Sequence, residues 1–414
     1  MGEYINRGDI LNLNMKNILI LTPLYPASDL PATDTPVVHF FAKEWVKSGY
    51  NVMVFHYVSD FPSIYYRFAS LFVNVLSSKV GFVVRSHKIG EKEYEIDGVH
   101  VVRIPLKKYI PHSTFSKSVM WEAYQKTLAY CRRQNFVPDC IAAHWFIPQL
   151  EMIQMLKTQF AVPAMLVLHG GGDVLKSQYK KEGEKLMQSV DLLGFRSDAI
   201  KRAFEETFNF KKPSFMCYSG IPIEYLQSRK YKDRIDVNKV IYVGNLIKRK
   251  YPLEVLKSFH TLGDRNFHLS YIGLGREEIF IKKYAKKNNL TENVHFLGRM
   301  NRLEVQTYLR QNGIFVMISR DETFGLVYLE AMAAGCITIA SKDEGFDGII
   351  RDGINGFLCK SGDFEELALI VDKIKRMRES ELLAISKAAM DTAYSLSEPQ
   401  VAENYIKMIE KYTL

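Results

Sequence analysis

The chain has 414 residues, 47% hydrophobic and 24% charged, with 55 Lys and Arg against 46 Asp and Glu for a formal net charge of +9. That length exceeds one ordinary core and suits two domains of about 200 residues each, and the composition excludes a disordered chain. No apolar run reaches the roughly 18 residues of a spanning helix, and the opening MGEYINRGDILNLN lacks the apolar stretch of a signal peptide. The positive excess favours anionic partners, whether a membrane surface, a nucleic acid or a phosphorylated substrate, without choosing among them. Cys131, Cys140, Cys217, Cys336 and Cys359 match neither a zinc site nor a disulfide framework. Five thiols in so long a chain suggest the reduced state and a cytosolic location.

In chain order, the first strand candidate is KNILILT (16–22). A turn-rich loop follows, PLYPASDLPATDTP, then an amphipathic segment, VVHFFAKEWVKSG, ending at Gly49, then a second strand, YNVMVFHY. Strand, loop, helix and strand make the βαβ unit of a parallel sheet. Further strands are expected in GVHVVRIPL (98–106), DCIAAH (139–144), AMLVLHG (164–170), DLLGFRS (191–197) and SFMCYSG (214–220). The charged stretch QSRKYKDRIDVNK (227–239) reads as linker. The pattern then restarts with VIYVGNL (240–246), FHLSYIGLG (267–275), NVHFLGR (293–299), GIFVMIS (313–319), ITIAS (337–341) and GFLCK (356–360). Two successive doubly wound α/β domains are therefore expected, 15–220 and 240–390, joined across 221–239 and preceded by a loose extension, 1–14. Ligands of such sheets bind beyond the carboxyl ends of the strands, which places the site in the cleft between the domains.

The stretch SRDETFGLVYLEAMAAG (319–335) carries the chemistry of the second domain. A strand ends near Ser319, a short loop holds Glu322, and a helix from about Gly325 to Ala334 holds Glu330, with Gly335 suited to its C-terminal cap. The helix start presents unpaired N–H groups and partial positive charge, a seat for phosphate, and Gly325 allows close approach. The two acids lie roughly 12 Å apart along the chain, a span that suits one elongated ligand with an acid at each end. Carboxylates accept from sugar hydroxyls readily. Lys248, Arg249 and Lys250 in YVGNLIKRKYP can meet a diphosphate, and Gly273, Gly275 and Gly298 sit at strand ends.

Together these segments resemble the retaining, nucleotide-sugar-dependent glycosyltransferases of family 4, the group 1 type with a GT-B fold of two Rossmann-like domains facing an interdomain cleft. ETFGLVYLE has that family's E-x7-E spacing, YVGNLIKRK resembles its VGRL…K segment, YIGLGREE its G-x-G segment and VHFLGRM its F-x-G segment. EAMAAGCITIASKDEGFDGIIRDGINGFL resembles the stretch that runs on from the second acid. The resemblance implies that Glu330 holds the ribose hydroxyls and that Glu322 faces the donor sugar. It implies that the N–H groups of Phe324, Gly325 and Leu326 meet sugar and phosphate, and that Lys250 meets the diphosphate. Gly244, Gly273, Gly298 and Arg299 complete the donor side. The family's arginine is Asn245 here, which leaves less charge on the leaving group unless Lys248 or Arg249 compensates. A last helix, 391–414, is expected to pack back on the first domain.

In that first domain, CIAAHWFIP and LVLHGGGDV put His144 and His169 at successive strand ends, where both are expected to be exposed to the cleft. The resemblance makes His144 the family's cleft histidine and HGGGD its HGxD, so that Asp173 and the backbone of 170–172 border the donor sugar. Arg196 and Ser197 match the family's S-x-x-x-R region loosely. The first loop departs from the family in having no glycine, with Thr35 and Pro36 where close backbone approach is expected, and altered acceptor binding follows. Residues 61–90, aromatic and basic without an acid, are either a helix on the core or an amphipathic surface for anionic lipid. KKYIPHSTFSK (107–117) is a second basic, aromatic loop near the acceptor side.

The resemblance therefore implies transfer of a sugar from a nucleotide-diphosphate donor to a hydroxyl of a saccharide or lipid-linked acceptor, in cell-surface polysaccharide or glycolipid synthesis. The site would be cytoplasmic, or peripheral at the inner face of a membrane. No carboxylate is poised as a nucleophile, so same-face substitution through an oxocarbenium-like state is expected, with the helix start and Lys250 stabilising the departing diphosphate. No Asp-x-Asp pair occurs, so no metal and no cofactor are expected. The same fold also serves nucleotide-sugar epimerases, non-catalytic sugar-nucleotide binders and pyridoxal-phosphate phosphorylases, although no lysine context suits the last. Nucleic-acid binding rests on charge alone, without the motif of an RNA module, and is not expected.

Overall fold

The computed structural model describes residues 17–30, 36–67, 87–110, 113–170, 172–173, 175–208, 212–227, 231–263 and 265–413. The first sheet contains β1 (Asn17–Thr22), β2 (Asn51–Asp60), β3 (Lys92–Ile96), β4 (Val99–Lys107), β5 (Cys140–His144), β6 (Ala164–Leu168), β7 (Leu192–Phe195) and β8 (Ser214–Met216). Its order is β3-β4-β2-β1-β5-β6-β7-β8. The second contains β9 (Lys239–Val243), β10 (His268–Ile272), β11 (Val294–Gly298), β12 (Ile314–Val316), β13 (Ile337–Ser341) and β14 (Phe357–Cys359), ordered β11-β10-β9-β12-β13-β14. Every described pairing except β3–β4 is parallel. The two doubly wound domains expected from the alternation of strands and helices are present.

Among the described residues, the helices of eight residues or more in the first domain are α1 (Val37–Lys47), α2 (Lys117–Arg133), α3 (Gln149–Phe160), α4 (Lys180–Met187) and α5 (Asp198–Thr207). A single turn, α6 (Glu224–Gln227), leads into the second, where α7 (Pro252–Thr261), α8 (Glu277–Lys287), α9 (Arg302–Gln311) and α10 (Leu326–Ala333) are followed by α11 (Phe364–Arg376), α12 (Glu379–Ser395) and α13 (Glu398–Thr413).

Helices cover both faces of each sheet, so the central strands are continuous apolar runs rather than alternating ones. Ile18 to Leu21 and Cys140 to Ala143 are fully buried. On α1, Val38, Phe41, Ala42 and Trp45 fall on one face and are buried against the sheet and α13. Strand β3 was not expected. Its sequence, KEYEI, is half polar and half-buried, because it pairs only with β4 and has solvent on its far side.

The chain passes twice between the domains, and the passages touch. Ile221 N donates to Leu396 O at 3.0 Å and Glu398 N to Ile221 O at 2.9 Å. A Cβ on Gly220 would lie 2.5 Å from Glu398 Cα, so only glycine fits the crossing. Helix α13 then lies on α1. Trp45 Nε1 donates to Ala402 O at 3.0 Å, and the Tyr405 ring stands 5.0 Å from Trp45 and 5.4 Å from Phe41.

The glycine-free loop after β1 is clamped by the β3–β4 ribbon. The buried Arg103 grips both Asp29 oxygens, at 2.8 and 2.7 Å, and donates to Gly90 O at 3.0 Å. Tyr94 OH donates to Pro26 O at 2.7 Å. These bonds hold the Asp29 carboxyl down to about 2, the Arg103 hydrogen bonds contributing most. Thr35 and the residues 68–86 of the aromatic stretch lie outside the described residues.

Asp29→Asn leaves Arg103 buried without its counter-charge and should lower unfolding stability by about 2 kcal/mol. Asp343→Asn, which loosens the exposed Arg202–Asp343 pair, should cost at most about 1 kcal/mol. Urea unfolding of the two variants checks this, and equal losses would contradict the clamp.

Candidate active site

In the second sheet, strand order reverses between β9 and β12, and the loops leaving these neighbours at their carboxyl ends diverge there. The loop after β9 supplies Lys250 and the loop after β12 supplies Glu322. Lys250 Nζ donates to Glu322 Oε2 at 2.7 Å, and each side chain is only 14% exposed. Ser319 Oγ also reaches Glu322 Oε2, at 3.3 Å, and Tyr328 OH donates to Met317 O at 2.7 Å beside it.

Two glycines let this loop form. Gly325 has φ +80° at the cap of α10, and a Cβ there would meet the Tyr328 ring at 2.4 Å and Glu322 Cγ at 3.1 Å. A Cβ on Gly345 would lie 2.5 Å from Glu322 O. That close packing brings Glu344 to the backbone: its Oε2 accepts from Glu322 N at 2.8 Å. No side chain caps α10, so its first N–H groups, next to Phe324 and Gly325, take no side-chain acceptor.

Glu330 follows one turn along α10 and is 7% exposed. Arg302 at the start of α9 donates to its Oε1 from two nitrogens, at 3.1 and 2.7 Å. Burial pushes the Glu330 carboxyl above its ordinary value, and the Arg302 charge and hydrogen bonds oppose this.

The other residues that the resemblance assigns to the donor side line the neighbouring strand ends. Gly244 N donates to Ile272 O at 2.9 Å, and Gly273 N to Gly298 O at 2.7 Å, which stitches the three loops side by side. A Cβ on Gly273 would lie 2.0 Å from Gly244 O, and one on Gly275 would lie 2.1 Å from Leu246 O. The bare backbone at both positions is thus already used by the adjacent loop. Asn245 and Arg299 are exposed, and neither side chain has a partner among the described residues. Lys248 is exposed, whereas Arg249 is turned to the carbonyls of Arg320 and Asp321, at 3.1 and 3.3 Å.

Across the cleft, the carboxyl edge of the first sheet forms a polar row. His144 ends β5, and His169, Arg196 and Cys217 each stand one residue beyond β6, β7 and β8. His144 Nδ1 and His169 Nε2 share a hydrogen bond at 3.0 Å, and His169 stacks on Trp145 with ring centroids 3.7 Å apart. Arg196 donates to Cys217 O and Ser219 Oγ and lies 5.4 Å from the Phe324 ring centroid. Thr323 Oγ1 donates to His169 O at 3.3 Å. The row therefore faces the Glu322 loop directly.

One expectation needs correction. His144 is not exposed to the cleft but fully buried, because His169, Phe41 and Tyr405 close around it. His169, half-buried, is the histidine nearer the surface of that pair. Asp173 is exposed and has no hydrogen bond among the described residues, and Gly172 before it packs on the Phe208 ring. Gly171 lies outside the described residues. A cavity of about 510 Å³ with Lys232, Asp236, Arg310 and Gly313 on its wall opens at the other, amino ends of β9 and β12 and shares no wall with these groups.

Residues 226–390 match the model of the glycosyl transferases group 1 family. The chain carries a group 1 glycosyltransferase domain. An uncharacterized glycosyltransferase of Methanocaldococcus jannaschii is 29% identical over 55% of this chain and 63% of its own length. The putative teichuronic acid biosynthesis glycosyltransferase TuaC of Bacillus subtilis is 26% identical over 58% of this chain and 62% of its own. The chain thus spans a little under two thirds of these curated relatives. The structure of Anabaena HepE in complex with UDP superposes with a TM-score of 0.64 at 14% identity, covering 96% of this chain and all of that one. That likeness gives the glycosyltransferase domain and its partner domain the GT-B arrangement.

Burial holds the His144 imidazole down at about 3 and His169 well below its ordinary value, with Arg196 adding to both. The unfolded chain protonates these rings near pH 6.5 and the folded one does not. They therefore oppose folding increasingly as pH falls from about 6.5 toward 3. His144→Gln should lose less thermal stability between pH 7 and pH 5 than the wild type does, whatever its stability at pH 7. Melting curves at the two pH values decide it, and parallel losses would contradict a buried neutral ring.

Proposed function

We propose that this chain is a retaining glycosyltransferase that takes a sugar from a nucleotide-diphosphate donor and attaches it to a hydroxyl of a saccharide or lipid-linked acceptor. The observation that carries this reading is the Lys250–Glu322 pair at 2.7 Å beside an uncapped helix start, with the buried Glu330 one turn further on. In this reading the diphosphate replaces Glu322 as the partner of Lys250 and takes N–H bonds from Phe324, Gly325 and Leu326. Glu322, released from Lys250, accepts from the sugar hydroxyls, and Glu330 accepts from the ribose. The uridine nucleotide held by HepE, the same fold, supports a nucleoside diphosphate as the product.

The chemistry follows from what the site offers. Leaving-group charge is met by a lysine and a helix start, fixed before reaction in a partly desolvated pocket, where such charges count most. The acceptor hydroxyl approaches from the first-domain row, where His169 is neutral and can hydrogen-bond without adding charge. Substitution on the face that the diphosphate leaves needs no protein nucleophile: the acceptor oxygen bonds to the anomeric carbon as the carbon–diphosphate oxygen bond breaks, and the acceptor proton passes to the departing diphosphate oxygen. Neither a metal nor a cofactor enters this scheme.

The acceptor belongs, in this reading, to cell-surface polysaccharide or glycolipid synthesis, as the teichuronic acid relative suggests by analogy. Among the described residues no helix is long and apolar enough to cross a membrane. Tyr109 and Ile110 are strongly exposed beside Lys107 and Lys108 in the loop after β4, which supports peripheral contact with anionic lipid at the cytoplasmic face.

Glu322→Gln should reduce release of nucleoside diphosphate in the presence of acceptor by about a hundredfold or more; the variant stays folded, with a lowered melting temperature because Lys250 loses its counter-charge. Near-normal turnover would remove Glu322 from the site. Diphosphate release that needs no acceptor would favour an epimerase, and binding without any turnover would favour a silent sugar-nucleotide binder.

A further inference from the structure

Arg302 is the first residue of α9, and local chemistry fixes its place. Asn301 Oδ1 accepts from the N–H groups of Leu303 and Glu304 at 3.0 Å each, and Glu304 Oε2 accepts from Asn301 N at 2.8 Å. This reciprocal cap sets where the helix begins. Gln306, one turn on, donates to the backbone O of Glu330 at 3.2 Å. Helix α9 thus grips Glu330 by its main chain as well as by its carboxylate.

The grip on the carboxylate is one-sided. Nε and a terminal nitrogen of Arg302 both donate to Oε1, whereas Oε2 takes no hydrogen bond from the described residues and is not sealed from solvent. An arginine that only neutralises an acid tends to put one nitrogen on each oxygen, as Arg103 does with Asp29. Here the fork is turned so that one oxygen of a nearly buried acid is left open. The guanidinium is held in that pose by two rings, 5.8 Å from Phe40 of α1 and 5.7 Å from Tyr225 at the domain join.

Taking Glu330 as the acid that meets the nucleotide ribose, as proposed above, we propose that Arg302 is the positioning residue of that contact. It occupies one carboxylate oxygen and turns the other to the ribose hydroxyls. Its charge also favours the ionised acid, the better acceptor, at a site where burial works against it. Arg302 is therefore not a plug that a donor must displace. It is a fixed support, and discrimination between ribose and deoxyribose depends on it.

Calorimetric titration of the full chain with UDP, GDP and ADP, each beside its 2′-deoxy counterpart, tests this. The wild type should prefer the ribonucleotide that it binds. R302Q should lose about tenfold in affinity for that ribonucleotide and little for the deoxy form, so that the preference shrinks to about twofold or less. R302K, which keeps the charge without the fork, should fall between the two and carries the same comparison if R302Q does not fold. An undiminished ribose preference in either variant overturns the proposal. Tighter ribonucleotide binding does so too, because it would mark Arg302 as a plug. A wild type that binds none of the three diphosphates counts against the nucleotide reading, and one that binds a diphosphate yet ignores the 2′-hydroxyl refutes the Glu330–ribose contact, in either case before any variant is compared.

Discussion

The Lys250–Glu322 pair is the contact on which the rest of the site depends. It closes the gap between the loops leaving β9 and β12, where the order of the second sheet reverses. Neither side chain has much access to water, so each would be costly to bury without the other. Much of the surrounding construction serves the placement of that acid. Gly325 and Gly345 allow the loop to pass where a side chain would collide, and Glu344 secures the Glu322 amide. Two charges that hold each other can be parted by a ligand that offers an anion to one and hydroxyls to the other.

The first domain meets this loop with a row built by sheet register. Parallel pairing carries His144, His169, Arg196 and Cys217 to the same edge on four adjacent strands. Arg196, nearly fully buried, has no carboxylate partner among the described residues and answers instead to a carbonyl, a hydroxyl and the Phe324 ring. A lone cation beside two histidines favours their neutral forms. Contact with Phe324 and the Thr323 bond to His169 O tie the row to the loop that bears Glu322, and α13, crossing back to α1, fastens the domains together behind it.

The strand runs were legible because central parallel strands are apolar on both faces, and Gly325 with its flanking acids was legible because loop, cap and helix follow one another in sequence. What escaped was spatial. Strand β3 hides in KEYEI because an edge strand needs little apolar surface. Arg302 and Glu344 stand 28 and 22 positions from the groups that they hold, with no periodicity to mark them. His144 looked open because a strand end in the first domain suggests a cleft, yet Tyr405, which helps to close it off, arrives from the far end of the chain. The glycines of YIGLG were legible as strand-end residues, but not the neighbouring loop that packs on them.

A structure of the full chain with a bound nucleoside diphosphate tests the central claim most directly. The account predicts the diphosphate on Lys250 Nζ and the N–H groups of Phe324 to Leu326, the ribose on Glu330 Oε2, and Lys250 drawn off Glu322. A nucleotide seated anywhere else, or one that leaves the Lys250–Glu322 bond intact, would contradict it.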